Sequence, residues 1–293
     1  MRDANMISKP HAGHIVAVHN GLTVLDCWQC GYKHLDPLPS EREVESYYRD
    51  DQFYQGGNNT PDWFTKEANE HELGLWNTCY DYQCELLDTS LPLLDVGTGC
   101  GWFVRHYQYW NKAWGIEPSV SAREIGGIGN YIYPDRNAFL AKRGWVVPMN
   151  IRMALVLEHV VDPYREIVRY MGHLGREGKM MVVVPNDFSG LQRKIGGHHW
   201  ISKVHINYFN EEGIRGLLAK AGLKTVHVST TYPIERNILK GRDYRGDDAL
   251  GRQCHMERLQ FEKKHGTRAF IYYHLLYKLF GWGRELIVVA KKG

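Results

Sequence analysis

The sequence predicts an α/β fold in which short buried strands alternate with helices. Three observations support this prediction. Segment 93–104 is an apolar run that ends in an acid, followed by glycines at every second position and then an amphipathic run. A second apolar run ends in Glu117, and two more occupy 151–156 and 180–184. Short apolar runs bounded by turn residues, with helical patterns between them, are typical of parallel sheets covered on both faces.

The turn that follows the first of these strands indicates a ligand site. Its glycines are Gly97, Gly99 and Gly101, and the following helix begins at or near Gly101. Glycine is needed where the backbone takes a positive φ or where a ligand approaches closely. A turn of this kind at the carboxyl end of a central strand is where open α/β sheets bind nucleotides.

Two classes of cofactor compete for this turn. The dinucleotide fingerprint is G-x-G-x-x-G, whereas Trp102 stands here where its third glycine belongs. An indole there would block the close approach of helix and strand. The acid before the turn, Asp95, is a poor neighbour for a pyrophosphate and suits a ligand with a positive charge and an ammonium group. The turn therefore favours S-adenosylmethionine over NAD.

A second acid supports the same interpretation. The run 113–119 is predicted as the next strand, and it ends in Glu117, about twenty residues beyond the first turn. An acid at this place accepts hydrogen bonds from both hydroxyls of a ribose. Glu117 alone indicates a nucleoside, and together with the glycine turn it indicates S-adenosylmethionine.

Four segments together resemble the class I S-adenosylmethionine-dependent methyltransferases. They are 94–101, 115–119, the Val-Leu-Glu-His-Val-Val-Asp-Pro run at 156–163 and the Val-Val-Val-Pro-Asn-Asp run at 182–187. They are similar to a bacterial branch with VLEHV-DP and VPN motifs, which includes many sugar and natural-product enzymes. The resemblance covers about residues 90 to 231. It implies a Rossmann-like seven-stranded mixed sheet flanked by helices.

The resemblance also implies which residues bind the cofactor. They belong to the glycine turn and to the ends of the second and fourth strands of this sheet. The expected contacts are Asp95, Gly97, Thr98, Gly99, Gly101, Glu117, Pro118 and Leu157.

The predicted fourth strand ends in Glu158 and His159, which should project toward cofactor and substrate at the carboxyl edge of the sheet. The unperturbed pKa of histidine lies near neutrality, which suits removal of a proton from an acceptor hydroxyl or carbon acid. We expect His159 to be the base in a direct displacement at the sulfonium methyl, with Glu158 orienting it. His205 is the alternative base. A purely structural role for the Glu158–His159 pair is the competing interpretation.

A tyrosine-rich segment precedes the predicted sheet and includes Tyr54. In the similar sugar methyltransferases a segment at this place folds over the active site, which makes Tyr54 a candidate catalytic residue. Packing of these aromatic residues on the core is the alternative.

The N-terminal region carries a C-x-x-C knuckle. Cys27 and Cys30 form it, with His34 close behind and His11 and His14 before it. Similar methyltransferases often carry a four-cysteine zinc motif here, and this chain lacks the first cysteine pair. We expect His14, Cys27, Cys30 and His34 as zinc ligands, with His11 as a further candidate. A small hairpin with ordinary buried thiols is the alternative.

We expect three parts along the chain: a knuckle and helical cap at 1–60, a methyltransferase core at 61–231 plus 284–293, and an insertion at 232–283 before the last strand. The last strand of this fold runs antiparallel beside the sixth, so the insertion is expected on the active-site side. Its cations are predicted to recognise an anionic or polyhydroxylated acceptor; they are Arg236, Lys240, Arg242, Arg245, His255 and Arg258. Its aromatic run 270–277 is interpreted as a core helix, a membrane contact or a subunit contact.

The composition of the chain limits the classes of partner and the location that we expect. The net charge of +3 without a sustained basic run argues against nucleic acid. The first residues are polar, apolar runs are too short for a membrane span, and six cysteines occur without a secretory signal. We therefore expect a cytoplasmic enzyme with reduced thiols, without stable membrane insertion, and the sequence leaves a homodimer open.

The expected function is methyl transfer to a small-molecule acceptor such as a sugar, a nucleotide-sugar or a natural-product intermediate. Two alternatives stand beside it. A binding or regulatory protein without catalysis is one, because Asn150 replaces the acid usual at the start of the fourth strand. An NAD-dependent oxidoreductase is the other.

Overall fold

The structure is a computed structural model that describes residues 11–49, 61–144, 148–196 and 201–293. Tyr54 lies outside the described residues. The strands are β1 Gly13–His19, β2 Leu22–Cys27, β3 Tyr32–Asp36, β4 Leu93–Val96, β5 Ala113–Ile116, β6 Ile132–Tyr133, β7 Asn150–Ala154, β8 Lys179–Pro185, β9 Asn207–Tyr208, β10 Leu223–Thr230 and β11 Glu285–Lys292. The helices are α1 Glu41–Arg49, α2 Pro61–Glu72, α3 Asn77–Leu86, α4 Trp102–Tyr107, α5 Val120–Gly126, α6 Arg136–Arg143, α7 Pro163–Tyr170, α8 Gly190–Lys194, α9 Glu211–Lys220, α10 Arg236–Leu239, α11 Asp248–His265 and α12 Arg268–Phe280.

Seven strands form the central sheet, in the order β10-β11-β8-β7-β4-β5-β6. β4 pairs in parallel with both β5 and β7, and β11 runs antiparallel to both β8 and β10. The predicted α/β fold with a seven-stranded mixed sheet is confirmed. The carboxyl ends of β4, β5, β7 and β8 therefore meet at one edge, where ligands bind in open sheets of this kind.

Both faces of the sheet are covered, which explains why its strands are almost continuously apolar. Leu94 and Val182 face a cluster that includes residues of α6, α7 and α9. Their chain neighbours Leu93 and Met181 face the opposite cluster, with residues of α3, α4 and α12. Side chains alternate between the two faces along each strand, so each strand contributes to both layers of core.

The insertion at 232–283 forms a helical layer rather than a loop. Phe270 and Tyr273 of α12 are fully buried against the sheet, and Phe270 stacks on Tyr82 of α3 with ring centroids 4.1 Å apart. The interpretation of the aromatic run as a core helix therefore holds for the buried side of α12. None of the helices within the described ranges combines the length and the apolar character needed to cross a bilayer.

Most of the basic residues expected to bind an acceptor in this insertion are paired with carboxylates. Arg242 pairs with Glu257 at 2.7 Å and Arg245 with Asp243 at 2.6 Å. Arg258 pairs with Glu262 at 3.0 Å, and His255 contacts Glu70 of α2 at 3.0 Å. Four of the six basic residues expected to recognise an anionic acceptor thus have acidic partners. Three of these pairs lie within the insertion, and that of His255 connects α11 to α2. This pairing weakens that expectation.

A second sheet connects the N-terminal region to the core. Its order is β1-β2-β3-β9, and β9 belongs to the segment that follows α8. The side-chain amide of Asn207 in β9 donates to the carbonyls of Leu157 at 2.9 Å and Val160 at 2.6 Å. The N-terminal sheet is therefore fastened directly to the carboxyl edge of the central sheet.

Candidate active site

The glycine turn lies between β4 and α4. Gly97, Gly99 and Gly101 have φ values of 67°, 57° and 77°, which L side chains rarely adopt. A Cβ atom at Gly97 would lie 2.5 Å from Cγ2 of Val156. Space and backbone conformation both require glycine at this position, as the sequence predicted.

Glu117 follows β5, directly beside this turn. Its Oε2 accepts a hydrogen bond from the amide of Gly99 and its Oε1 one from the amide of Ser119, both at 2.9 Å. The side chain is therefore held in one orientation beside the turn. A carboxylate at this place is a suitable acceptor for a pair of ribose hydroxyls.

A cleft of about 930 Å³ opens next to the turn. Gly97, Glu117 and Pro118 line it, as expected of cofactor-binding residues. Tyr48 of α1 and the side chain of His159 line it as well. The volume suits a ligand of the size of a nucleoside cofactor.

Leu157 does not line the cleft, contrary to expectation. Its side chain is fully buried, whereas Leu155 and Val156 form the wall. β7 ends at Ala154, and Leu155 takes a φ of 57°, so the chain turns before Leu157 is reached. Asp135, which caps α6 by accepting from the amide of Ala138 at 2.8 Å, also lines the cleft.

The expectation that Asp95 contacts a positively charged ligand differs most from the structure. It is fully buried, and Arg152 Nη1 donates to its Oδ1 at 2.9 Å and its Oδ2 at 3.1 Å. Thr98 Oγ1 also donates to Oδ2 at 2.8 Å. A carboxylate already neutralised by a guanidinium does not attract an ammonium group. Asp95 and Thr98 therefore support the turn from beneath instead of contacting a positively charged ligand.

Sequence reasoning missed Arg152. Besides Asp95, its guanidinium donates to Oε1 of Gln83 at 2.8 Å and lies 4.0 Å from the ring centroid of Phe103. The available signal was a charged residue inside an otherwise apolar strand, β7. Such residues are rarely buried unless they are paired.

His159 has a defined tautomer. Its Nδ1 lies 2.7 Å from the carbonyl oxygen of Val204, and because a carbonyl only accepts, Nδ1 carries the hydrogen. The lone pair is therefore on Nε2. Burial lowers the pKa of His159 to about 4, so the imidazole is neutral at pH 7. The neutral imidazole is able to accept a proton, but it is a weaker base than the near-neutral pKa expected from the sequence implies.

Glu158 does not orient His159 in the way that the sequence suggested. Burial raises the pKa of its carboxyl group well above the usual range. Its Oε1 lies 3.8 Å from Nε2 of His159, which is too long for a hydrogen bond. The backbone carbonyl of Glu158 accepts from the amides of Ile206 and Asn207 at 2.7 and 3.1 Å. Its main contacts position the loop after β7.

His205, the alternative base, packs against His159 with ring centroids 4.9 Å apart. Burial and the neighbouring His159 lower its pKa to about 3. It is not among the residues that line the cleft. The structure therefore places His159 better than His205 for contact with an acceptor.

Three of the four predicted metal ligands, Cys27, Cys30 and His34, lie close together, and His11 joins them in place of His14. His11, Cys27, Cys30 and His34 have ligand atoms within 4.8 Å of one another. Nδ1 of His11 lies 3.4 Å from Sγ of Cys27 and 3.3 Å from Sγ of Cys30. His14 lies outside this group: it follows Gly13 into β1, and its ring meets the edge of Trp28 at 5.1 Å. His11, which precedes the strand, takes the place expected for His14.

The geometry of this cluster suits a tetrahedral metal ion. A sulfur and a nitrogen ligand on one zinc ion are about 3.5 Å apart, close to the contacts of His11. Nδ1 of His34 donates to the carbonyl of Leu35 at 2.7 Å, which leaves its lone pair on Nε2. That Nε2 is buried and has no hydrogen-bond partner among the described residues. A histidine whose other nitrogen is held by a carbonyl is the usual arrangement of a metal ligand.

The chain is similar in structure to several solved methyltransferases. A methyltransferase from Burkholderia thailandensis that acts on 1,6-didemethyltoxoflavin has a similar structure, with a TM-score of 0.50 and 11% identity over 96% of this chain and 99% of that one. A SAM-dependent methyltransferase from Archaeoglobus fulgidus gives a TM-score of 0.46 with 13% identity over 84% and 99%. Magnesium protoporphyrin IX methyltransferase from Synechocystis gives 0.46 with 14% identity over 87% and 100%.

No curated protein matches the sequence closely enough to report. The family model described as a methyltransferase domain matches residues 75–228, slightly more than half of the chain. This range contains the glycine turn, Glu117 and the segment that ends in His159. The chain therefore belongs to the methyltransferase-domain family and is an S-adenosylmethionine-dependent methyltransferase.

Proposed function

We propose that this enzyme methylates a small-molecule acceptor, such as a sugar, a nucleotide-sugar or a natural-product intermediate, in the cleft beside the glycine turn. The observation that carries the proposal is the position of Glu117. Its carboxylate is fixed by two backbone amides at the end of β5 and lines the cleft. An acid held in this way is able to bind the ribose of an adenosyl group.

The residues around Glu117 fit the rest of such a ligand. Pro118, Leu155 and Val156 provide apolar walls for a flat base, and Asp135 adds a polar group to the same cleft. When bound, S-adenosylmethionine supplies a methyl group on a sulfonium, which an acceptor takes by direct displacement. The protein then has to align the acceptor and exclude water.

We assign proton removal from the acceptor to His159. Its hydrogen is directed to the carbonyl of Val204, so Nε2 is the accepting atom. Burial raises the pKa of Glu158, which disfavours a charged carboxylate beside the imidazole. Positioned proton transfer contributes about 10²- to 10⁴-fold to rates in comparable enzymes.

The cluster of His11, Cys27, Cys30 and His34 is proposed as a structural zinc site. With four protein ligands it is closed, and closed tetrahedral sites are structural rather than catalytic. The cation would hold the segment before β1, the turn after β2 and β3 together.

Titration calorimetry with S-adenosylhomocysteine tests the cofactor site directly. The wild-type protein should bind it, whereas Glu117→Gln should bind at least about tenfold more weakly because it loses the charge that favours hydroxyl donors. Glu124→Gln changes an exposed carboxylate of α5 in the same way and should bind normally. Binding of NAD in place of S-adenosylhomocysteine would contradict the proposal. Transfer of a methyl group to an acceptor would distinguish the enzyme from a non-catalytic binding protein.

A further inference from the structure

Helix α12 has a second side, which is apolar and exposed to solvent. Ile271, Leu275 and Leu279 follow one another at four-residue spacing and are 62%, 53% and 71% exposed. Tyr272 and Phe280 flank them and are 38% and 54% exposed. Residues four apart lie on one side of a helix, so these five form a continuous apolar strip about 14 Å long. We call these five residues the α12 surface.

We propose that the α12 surface docks on an anionic membrane, with α12 lying in the plane of the lipid headgroups. Amphipathic helices that bind membranes in this way combine an apolar side with basic residues near it. The proposal concerns attachment to the bilayer and is independent of the methyl-transfer reaction.

The charges around the α12 surface favour an anionic partner. α12 contains Arg268, His274 and Lys278 and has no acidic residue. Near its first turn, the guanidinium of Arg236 lies 5.8 Å from the ring centroid of Tyr272. Near its last turn, the ammonium group of Lys194 lies 5.7 Å from the ring centroid of Trp282. Basic groups thus border the apolar strip at both ends.

The acid that interacts with Lys278 does not change this sign. Glu211 of α9 lies close enough to Lys278 for the two charges to attract. Glu211, however, already pairs with Arg215 at 2.9 Å and accepts a hydrogen bond from the hydroxyl of Tyr277 at 2.6 Å. It stands on the side of α12 that faces the protein, away from Leu275 and Leu279.

A second copy of the chain fits this surface less well than a lipid headgroup layer. A two-fold contact is self-complementary, so each residue meets the symmetry-related part of the same surface. If two copies of α12 packed antiparallel about Leu275, Arg268 of one copy would approach Lys194 of the other, and Lys278 would approach Arg236. Like charges would meet at both ends, which is unfavourable.

The α12 surface also ends next to the active edge of the sheet. The side-chain amide of Asn186, just after β8, donates to the carbonyl of Gly283 at 3.0 Å. The backbone amide of Asn186 donates to the carbonyl of Arg284 at 2.8 Å. The segment that follows α12 therefore meets the carboxyl edge of the central sheet, and docking through α12 would hold that edge near the bilayer.

Vesicle sedimentation with the full-length protein tests the proposal. Vesicles of phosphatidylcholine containing one third phosphatidylglycerol should bind the wild type, and pure phosphatidylcholine should bind it far less. Leu275→Glu and Leu279→Glu should each lower the partition coefficient at least about tenfold, because they place a charge in the apolar strip. Lys278→Gln should lower it about fivefold, the contribution of one basic residue near an anionic surface. Added salt should weaken binding.

Two matched variants serve as controls. Leu73→Glu makes the same change at an apolar residue that is 66% exposed but distant in the chain, and Lys224→Gln makes the same change on exposed β10. Leu73→Glu is the control for Leu275→Glu and Leu279→Glu, and Lys224→Gln is the control for Lys278→Gln. Both control variants should bind vesicles like the wild type. Circular dichroism and the thermal midpoint should show that the Leu275 and Leu279 variants are folded.

Three results would overturn the proposal. The first is no binding of the folded wild type to anionic vesicles. The second is equal binding by wild type and Leu275→Glu. The third is a wild-type dimer that Leu275→Glu converts to a monomer while neither protein binds lipid, since that result assigns the surface to a second copy.

Discussion

Arg152 and Asp95 stand opposite each other on the neighbouring strands β7 and β4, and the guanidinium of Arg152 donates to both carboxylate oxygens of Asp95. The pair lies at the carboxyl end of β4, directly beneath the glycine turn. Thr98 is bound to the same carboxylate, so the pair is connected to the turn itself. The charge of Asp95 is therefore paired inside the protein, where it stabilises the conformation of the glycine turn.

Replacing Arg152 by Met should strongly destabilise the protein. The variant leaves Asp95 buried without a counter-charge, and breaking a buried pair on one side costs about 3–5 kcal/mol. Asp95→Asn combined with Arg152→Met should recover much of this loss, since no unpaired charge remains. Urea unfolding measures the free energies.

The control for this prediction is Arg165→Met. Arg165 pairs with Glu41 at 3.0 Å, and the two side chains are 60% and 48% exposed; exposed pairs contribute about 0–1 kcal/mol. If Arg152→Met and Arg165→Met had the same small effect, the buried pair would not have the role assigned to it.

Gly97→Ala should weaken cofactor binding through a steric contact. Its new Cβ would lie 2.5 Å from Cγ2 of Val156, in the wall of the cleft. Gly127→Ala is the matched variant, because Gly127 has a similar φ of 63° and nothing within 4 Å of a Cβ. Both should lose about 1–2 kcal/mol of stability from the left-handed conformation.

Only Gly97→Ala should also weaken the binding of S-adenosylhomocysteine, by at least about tenfold, or 1.4 kcal/mol. Calorimetry measures both affinities. Equal affinities for the two variants would mean that the turn does not shape the binding site.

Local patterns in the sequence were sufficient for most of the fold. The positions of β4, β5 and β8 follow from apolar runs bounded by turn residues, and Ser119 and Asn210 cap helices through their side chains as their residue types favour. The antiparallel last strand beside β10 followed from the resemblance and is confirmed. These features depend on residues that are close together in the chain.

The features that were missed depend on contacts between distant segments. Arg152 meets Asp95 because β7 lies beside β4 in one particular register, and no pattern within either strand specifies that register. The choice of His11 over His14 depends on where β1 begins relative to the turn after β2. The pKa of Glu158 depends on burial, which sequence alone does not quantify.

His159→Gln should lower the turnover number about 10²- to 10⁴-fold while leaving the affinity for S-adenosylhomocysteine nearly unchanged. Glutamine keeps polarity and approximate size but has no basic nitrogen. His205→Gln should have a much smaller effect, because His205 does not line the cleft. Unchanged turnover in His159→Gln would remove it as the base.

The pH dependence of wild-type turnover follows from the same site. The pKa of His159 is lowered to about 4, so the neutral form that accepts a proton is present above this pH. Loss of turnover attributable to His159 should therefore appear only as the pH falls toward 4. A decline centred near 6.5 would indicate that His159 titrates like an exposed histidine.

The proposed zinc site includes His11 and excludes the nearby His14, so replacing each should have a different effect. Elemental analysis of protein purified without chelators should find about one zinc ion per chain, the content of a single four-ligand site. His11→Ala should lower that content and the thermal midpoint, because it removes one of four ligands. His14→Ala should leave both unchanged, since its ring packs on Trp28 instead. A zinc content that depends on His14 and not on His11 would contradict the arrangement of the cluster.

Asp187, which follows β8 at the same edge, should make the protein less stable as the pH rises. The residue is buried, and its carboxylate oxygens have no hydrogen-bond partner of normal geometry among the described residues. Burial raises its pKa to about 8, and Glu235 acts in the same direction, although Gln192 and Arg284 act in the opposite one. Between about pH 4 and 8, Asp187 is therefore protonated in the folded protein and ionised in the unfolded chain.

Because the folded state then binds the additional proton, the contribution of Asp187 is fully present below pH 4 and is lost as the pH rises toward 8. Asp187→Asn has no proton to lose, so it should be more stable than the wild type by on the order of 4 kcal/mol at pH 7 and nearly equal to it at pH 4. Urea unfolding at both pH values measures the difference. A difference that stays constant between the two would show that Asp187 is ionised in the folded enzyme, with a counter-charge that holds it in that form.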